Sequence, residues 1–286
     1  VSSYQASEVE VGPDHAVLTA LFPEHLDWHG SVERYYADKL RLLRAAGVHT
    51  ISVNAADANA MAHTDGMERR PYGVGPGIHA RDGGLFDGGR RLVATGPHLR
   101  GAHTLTNAAG ALAVASAFDA SVLHQPELLA EWMASFEPLP HRLQPIGEHD
   151  GVEYIDDSIA TSPSATAAAL DAFAARPVTL LVGGHDRSLP LDPLLDALAR
   201  RGAPTLVCAM PTTGEHVADA IEARELRDVA VVRCDSLADA VRHAVAHTAI
   251  GAVVLLSPAA ASYDRFTSYA HRGAEFQRLV REHADR

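Results

Sequence analysis

The chain has 286 residues, with 24 lysines and arginines against 36 aspartates and glutamates, a net charge of −12. That balance repels phosphate backbones and anionic lipid, and no segment gathers enough arginine to reverse it locally, so nucleic-acid and membrane-surface partners are excluded. With 47% hydrophobic residues, no apolar run near the roughly 20 residues of a bilayer span and only Cys208 and Cys234 as cysteines, a soluble protein of a reducing, cytoplasmic compartment is expected.

The N-terminal Val1-Ser2-Ser3-Tyr4-Gln5 has neither a basic nor an apolar stretch, so it is no signal peptide, and the missing initiator Met suggests a piece of a longer chain. Apolar runs at 15–21 and 48–53 flank an amphipathic segment from Ser31 to Ala46, which predicts a β-α-β unit. Across 77–94 the Asp82-Gly83-Gly84 and Asp87-Gly88-Gly89 turns predict a small antiparallel meander. Helices are expected over His103–Ala117 and Gln125–Phe136, the second stopped by Pro138-Leu139-Pro140, which places a domain boundary near 137.

Beyond it, 143–148 and 152–156 flank His149-Asp150-Gly151 as a hairpin. Strands at 178–182, 205–209, 229–233 and 252–256 then alternate with helical stretches, one starting at Ser162-Pro163 and another at Asp235-Ser236. The expected fold is α/β: a partial parallel-sheet domain with a meander over 1–137, then a Rossmann-like doubly wound domain over 138–286.

Ligands of open α/β sheets bind outside the carboxyl ends of the strands. Three loops there are crowded with polar groups: Asp156 to Thr161, Gly183 to Ser188, and Ser257 to Asp264. In the first domain, Glu24-His25-Leu26-Asp27-Trp28-His29 offers imidazole and carboxylate at short spacing, as a metal site would. Lys39 is the sole lysine among the 24 basic residues. A neutral amine can take up CO2 as a carbamate and add an oxygen ligand for Mg2+, which arginine cannot readily do. Because Lys39 follows Asp38, the chain contains no G-x-x-x-x-G-K-[ST] phosphate loop. A metal-dependent hydrolase built on Glu24, His25, Asp27 and His29 is a competing reading.

Together these motifs resemble the Mur ligase family of ATP-dependent amide-forming enzymes. The resemblance identifies Ser2-Ser3-Tyr4-Gln5 with the stretch after the family's Mg-binding glutamate, His25 with a metal ligand and Lys39 with its carbamylated lysine. Gly101 to Asn107 is similar to the adenine-contacting segment, with His103 and Asn107 in place and Thr104 where an Asn is expected. Arg142, within Pro140-His141-Arg142, and Asp157 would bind ATP. Thr161, Arg187, Ser262 and Tyr269 would bind glutamate, with Ile159 standing where the family has a lysine.

The resemblance implies catalysis by Lys39 and His25, with ATP and Mg2+ as cofactors. The reaction would join glutamate, leaning to the L enantiomer because the pocket cations are altered, to UDP-N-acetylmuramoyl-L-alanine through an acyl phosphate in peptidoglycan precursor synthesis. It also implies that this chain alone is inactive, lacking the phosphate loop and the UDP-binding domain. The alternatives are D-glutamate, another amino-acid acceptor, or a fragment that only binds.

Overall fold

The computed structural model describes residues 1–96, 99 and 101–284. The chain divides into two compact units, Val1–Phe136 and Glu137–Arg286.

The first unit runs α1 (Ser3–Ala6), β1 (His15–Leu18), α2 (Leu26–His29), α3 (Val32–Arg44), β2 (Thr50–Asn54), α4 (Ala58–His63) and β3 (Arg69–Tyr72). It continues with the meander β4 (Ile78–Arg81), β5 (Gly84–Asp87) and β6 (Arg90–Ala94), then α5 (Ala102–Phe118), a 3-10 turn and α6 (Pro126–Ser135). β1, β2 and β3 form a parallel sheet in that order, with Val17 opposite Ser52 and Val53 opposite Pro71. The expected β-α-β unit is β1-α3-β2, closed by Leu18, Leu21, Leu40 and Val53. β3 is an addition that Arg69-Arg70-Pro71 conceals: a proline has no N–H to donate and suits only an edge. The meander packs under α5 and α6 through Leu85, Leu112 and Leu129.

The second unit runs β7 (Gln144–His149), β8 (Val152–Asp156), α7 (Pro163–Asp171), β9 (Val178–Gly184), α8 (Asp192–Arg200), β10 (Thr205–Thr212) and α9 (Thr213–Ala223). It ends with β11 (Val229–Arg233), α10 (Leu237–His247), β12 (Val253–Leu256) and α11 (Tyr269–Ala284). The sheet order is β11-β10-β9-β12-β8-β7, parallel except for the hairpin strand β7. Alternate residues serve opposite faces, as the period of a strand demands. Leu180, Val182, Val207 and Leu255 pack on α7, α8 and α9 through Leu170, Leu194 and Val217. Leu181, Cys208, Val254 and Leu256 pack on α10 and α11 through Val241, Phe276 and Leu279. Ser162 caps α7, accepting from Ala165 N–H ahead of Pro163, and Ser236 caps α10 likewise from Asp239 N–H. Among the described residues no helix is long and apolar enough to cross a membrane.

Candidate functional site

In the first unit the sole lysine sits on α3, half-buried beside Glu24. Burial pulls the Lys39 ammonium below its ordinary pKa, and the Glu24 charge pushes only partly back. The Glu24 carboxylate lies 3.8 Å from Nε2 of His25. His25 holds a left-handed backbone, φ 55°, at the start of α2, and its ring is 5.0 Å from that of Tyr4 on α1. The lysine, Glu24 and His25 thus share one neighbourhood, where nitrogen and oxygen donors suit a hard cation.

A buried chain of hydrogen bonds braces this neighbourhood. His29 Nδ1 donates to Asp38 Oδ2 at 2.8 Å, and in the neutral ring Nε2 accepts from the Ser3 hydroxyl at 3.0 Å. Arg34 donates to the same carboxylate at 3.1 Å. Burial pushes the Asp38 carboxyl up, yet the bonds from His29 and Arg34 outweigh it and hold the group below the usual range. The chain fastens α1 and the end of α2 to α3, one residue from Lys39. It also settles the role of His29, whose side chain is fully buried. Asp27 is exposed, and among the described residues Glu24, His25, Asp27 and His29 are not gathered into one metal-ligating group.

His103 and Asn107 lie one turn apart on the first half of α5, His103 half-buried and Asn107 exposed. The structure therefore places them on one helical face.

In the second unit the three polar loops follow β8, β9 and β12, and a single side chain joins them. Arg272 of α11 is 1% exposed. Its Nε donates to Ser158 Oγ at 3.0 Å, and its terminal nitrogens donate to the carbonyls of Ser158 at 2.9 Å, Ala260 at 3.0 Å and Ala261 at 3.3 Å. Burial lowers its pKa to about 10, with Asp264 and Asp156 opposing the shift. The guanidinium remains charged at neutral pH, because a pKa near 10 lies well above it. Ala261 also accepts from His185 N–H at 2.9 Å. At Gly184, φ 136°, an added Cβ would lie 2.4 Å from the Ala261 carbonyl, so only glycine lets the loops approach this closely.

The proposed glutamate-binding residues sit on this rim. Arg187 donates to the Thr161 carbonyl at 2.6 Å, bringing those two together. Ser262 is buried immediately after Ala261. Tyr269 opens α11 with its ring exposed, and its carbonyl accepts from Ser158 Oγ at 2.8 Å. Ile159 is half-buried on the same loop.

Arg142 is exposed, whereas Asp157 is only 5% exposed. Asp157 Oδ1 accepts from Leu143 N–H at 3.1 Å and Oδ2 from the Ser257 hydroxyl at 2.8 Å. Asp157 thus positions the turn that carries Arg142, beside any role toward a nucleotide. Burial pushes its carboxyl up to about 7, opposed by the Ser257 and Leu143 bonds and by the Arg142 charge. Next to it, fully buried Asp156 accepts from His141 Nδ1 at 2.7 Å and from Gln277 at 2.9 Å.

Sequence reasoning placed Asp156 and Ser257 in the polar loops without giving either a role, and it missed Arg272 and the Ser3–His29–Asp38 chain. The i, i+4 spacing of His25 and His29 was the available signal for the last. A lone arginine in an amphipathic helix carried none for the first.

Two expectations follow. A Cβ on Gly273 would lie 2.2 Å from His141 Nδ1 and 2.7 Å from Asp156 Oδ2. Gly273→Ala should therefore cost about 1–3 kcal/mol in a denaturant melt, and an unchanged midpoint would contradict the packing described. For Asp157, the folded state holds its proton to higher pH than the unfolded chain, whose value is 3.8 against about 7 folded. This group's contribution to stability accordingly falls as pH rises from about 4 to about 7 and is level above that. Asp157→Asn should gain stability relative to the parent protein across that window, and a pH-independent difference would count against a protonated Asp157.

The Mur ligase middle domain matches residues 1–115 and the Mur ligase glutamate ligase domain matches 141–260. A UDP-N-acetylmuramoyl-L-alanine--L-glutamate ligase of Salinispora tropica is 40% identical over 300 residues, covering 99% of this chain and 64% of the relative. Its namesake from Xanthomonas euvesicatoria is 37% identical, covering 98% and 60%. The chain thus spans less than two thirds of the length of these relatives. Among solved structures, a MurF ligase of Thermotoga maritima in complex with ADP superimposes with a TM-score of 0.63 at 17% identity, over 98% of this chain and 67% of that one. FolC of E. coli, solved with ADP, gives 0.61 at 19% identity, over 94% and 62%. These structural likenesses share the mixed α/β fold of both units. With both family domains matched along most of its length, the chain belongs to the Mur ligase family.

Proposed function

We propose that this chain supplies the metal-binding and amino-acid-binding parts of a cytoplasmic ATP-dependent ligase that joins L-glutamate to UDP-N-acetylmuramoyl-L-alanine in peptidoglycan precursor synthesis. The observation that carries the reading is the sole lysine, half-buried beside Glu24 and His25, in a chain 40% identical to a relative named for that reaction.

In this reading the neutral Lys39 amine attacks CO2, forms an N–C bond and releases a proton, and the carbamate oxygens join His25 as ligands. Mg2+, when bound, neutralises charge on the phosphoryl group in transfer. Phosphorylation of the alanyl carboxylate gives an acyl phosphate and ADP, and the glutamate amine then displaces phosphate. The residues of the chain position and polarise rather than react. Arg142, held by the Asp157 turn, meets phosphate, while His103 and Asn107 meet adenine. Thr161, Arg187, Ser262 and Tyr269 hold glutamate.

The altered pocket supports the L enantiomer. With Ile159 in place of the family lysine, a charge-assisted hydrogen bond of about 1.5–3 kcal/mol is lost unless the amino acid turns to use Arg187. The relatives in Salinispora tropica and Xanthomonas euvesicatoria are named for L-glutamate as well.

The test is ligation by the intact gene product, with L- and D-glutamate side by side. We expect the L product to dominate, and Lys39→Arg to lose about 10²–10³-fold in rate, independent of added bicarbonate. Faster turnover of D-glutamate would overturn the enantiomer assignment. A Lys39→Arg rate equal to that of the parent enzyme would overturn the carbamate role.

A further inference from the structure

Both cysteines of the chain lie in the second unit, outside the residues assigned to ligation, and they lie together. Cys208 is on β10 and is fully buried. Cys234 follows β11, and its N–H donates to the Ala209 carbonyl at 2.8 Å. The Cys234 thiol donates to the Val232 carbonyl at 3.8 Å, and both cysteines belong to the core on this face of the sheet. α10 adds Asp239 and His243, one turn apart on one face, with His243 Nε2 3.6 Å from Asp239 Oδ1. The ligand atoms of Cys234, Asp239 and His243 all lie within 4.8 Å of one another. Among the described residues this is the one such group.

We propose that Cys234, Asp239 and His243 form a three-residue site for a divalent transition-metal ion, zinc above all, with the fourth position taken by solvent. This inference goes beyond ligation and does not depend on it.

The donor set decides the class of ion. Thiolate sulfur and imidazole nitrogen favour zinc over magnesium, whose ligands are oxygens. Tetrahedral zinc, with bonds of about 2.0–2.3 Å, separates its ligand atoms by roughly 3.3–3.8 Å. The 3.6 Å between His243 and Asp239 already falls in that interval. The other two separations within the trio are at most about 1 Å too wide, a distance that side-chain rotation on α10 covers. Cys234 comes from the strand side, where its backbone is fixed to the sheet.

The surroundings fit a bound cation as well. Asp239 Oδ2 accepts from Asp235 N–H at 3.0 Å, and its other oxygen pairs with Arg242, whose side chain is largely exposed. On binding, the Cys234 thiol releases its proton to solvent. One thiolate and one carboxylate around a doubly positive ion leave no net charge at the site. The ion would tie the end of β11 to α10.

The test uses the purified chain, stripped with chelator and titrated with cobalt(II), then with zinc(II) in competition. One equivalent of cobalt should bind and produce a sulfur-to-cobalt charge-transfer band, and zinc should abolish it. Cys234→Ser should lose the band, and His243→Ala, at a partly exposed position, should weaken zinc at least tenfold while leaving the circular dichroism unchanged. Zinc should also raise the Tm of the parent chain but not of the Cys234→Ser variant. Absence of the charge-transfer band in the parent chain would overturn the proposal. So would zinc affinities of the Cys234→Ser and His243→Ala chains equal to that of the parent.

Discussion

One buried guanidinium organises the polar rim of the second unit. Arg272 leaves α11 and spends its donors on the carbonyls and hydroxyl of loops that follow β8 and β12, while Gly184 brings the loop after β9 against the same point. A planar fork with five donors suits several carbonyls at once, which a lysine ammonium does not. Withdrawing it would strand those carbonyls in a water-poor interior, at about 1–3 kcal/mol each. The loops that carry Thr161, Arg187, Ser262 and Tyr269 are therefore one preorganised piece, and preorganisation is what an enzyme of the positioning kind requires.

The first unit uses the same logic with different groups. Its brace is the Ser3–His29–Asp38 chain, and what it steadies is the segment bearing the lone amine. In both units a buried, fully bonded polar group stands one step behind the residues that would meet substrate. Such groups rigidify when every member is satisfied and are costly otherwise.

What could be read from the sequence divides along physical lines. Ser162-Pro163 announces α7 because a cap and an N1 proline act locally, and the Gly-Gly turns announce the meander for the same reason. The doubly wound sheet followed from alternation of short apolar runs with amphipathic stretches, and the cores on its two faces show that alternation residue by residue. Lys39 stood out by chemistry, as the one amine in an arginine-rich chain. Interactions between distant residues were hidden. Arg272 lies 114 residues from Ser158, and β3 pairs as a strand despite its proline only because an edge was open to it.

The most direct measurement of the clamp is amide hydrogen exchange on the parent protein and on Arg272→Met, a substitution of similar length without donors. Clamping by Arg272 predicts that protection falls together in the loops around 157–161, 183–188 and 257–262, while amides of β9 and β12 exchange as before. Unchanged protection in all three loops, or a loss confined to one of them, would contradict it.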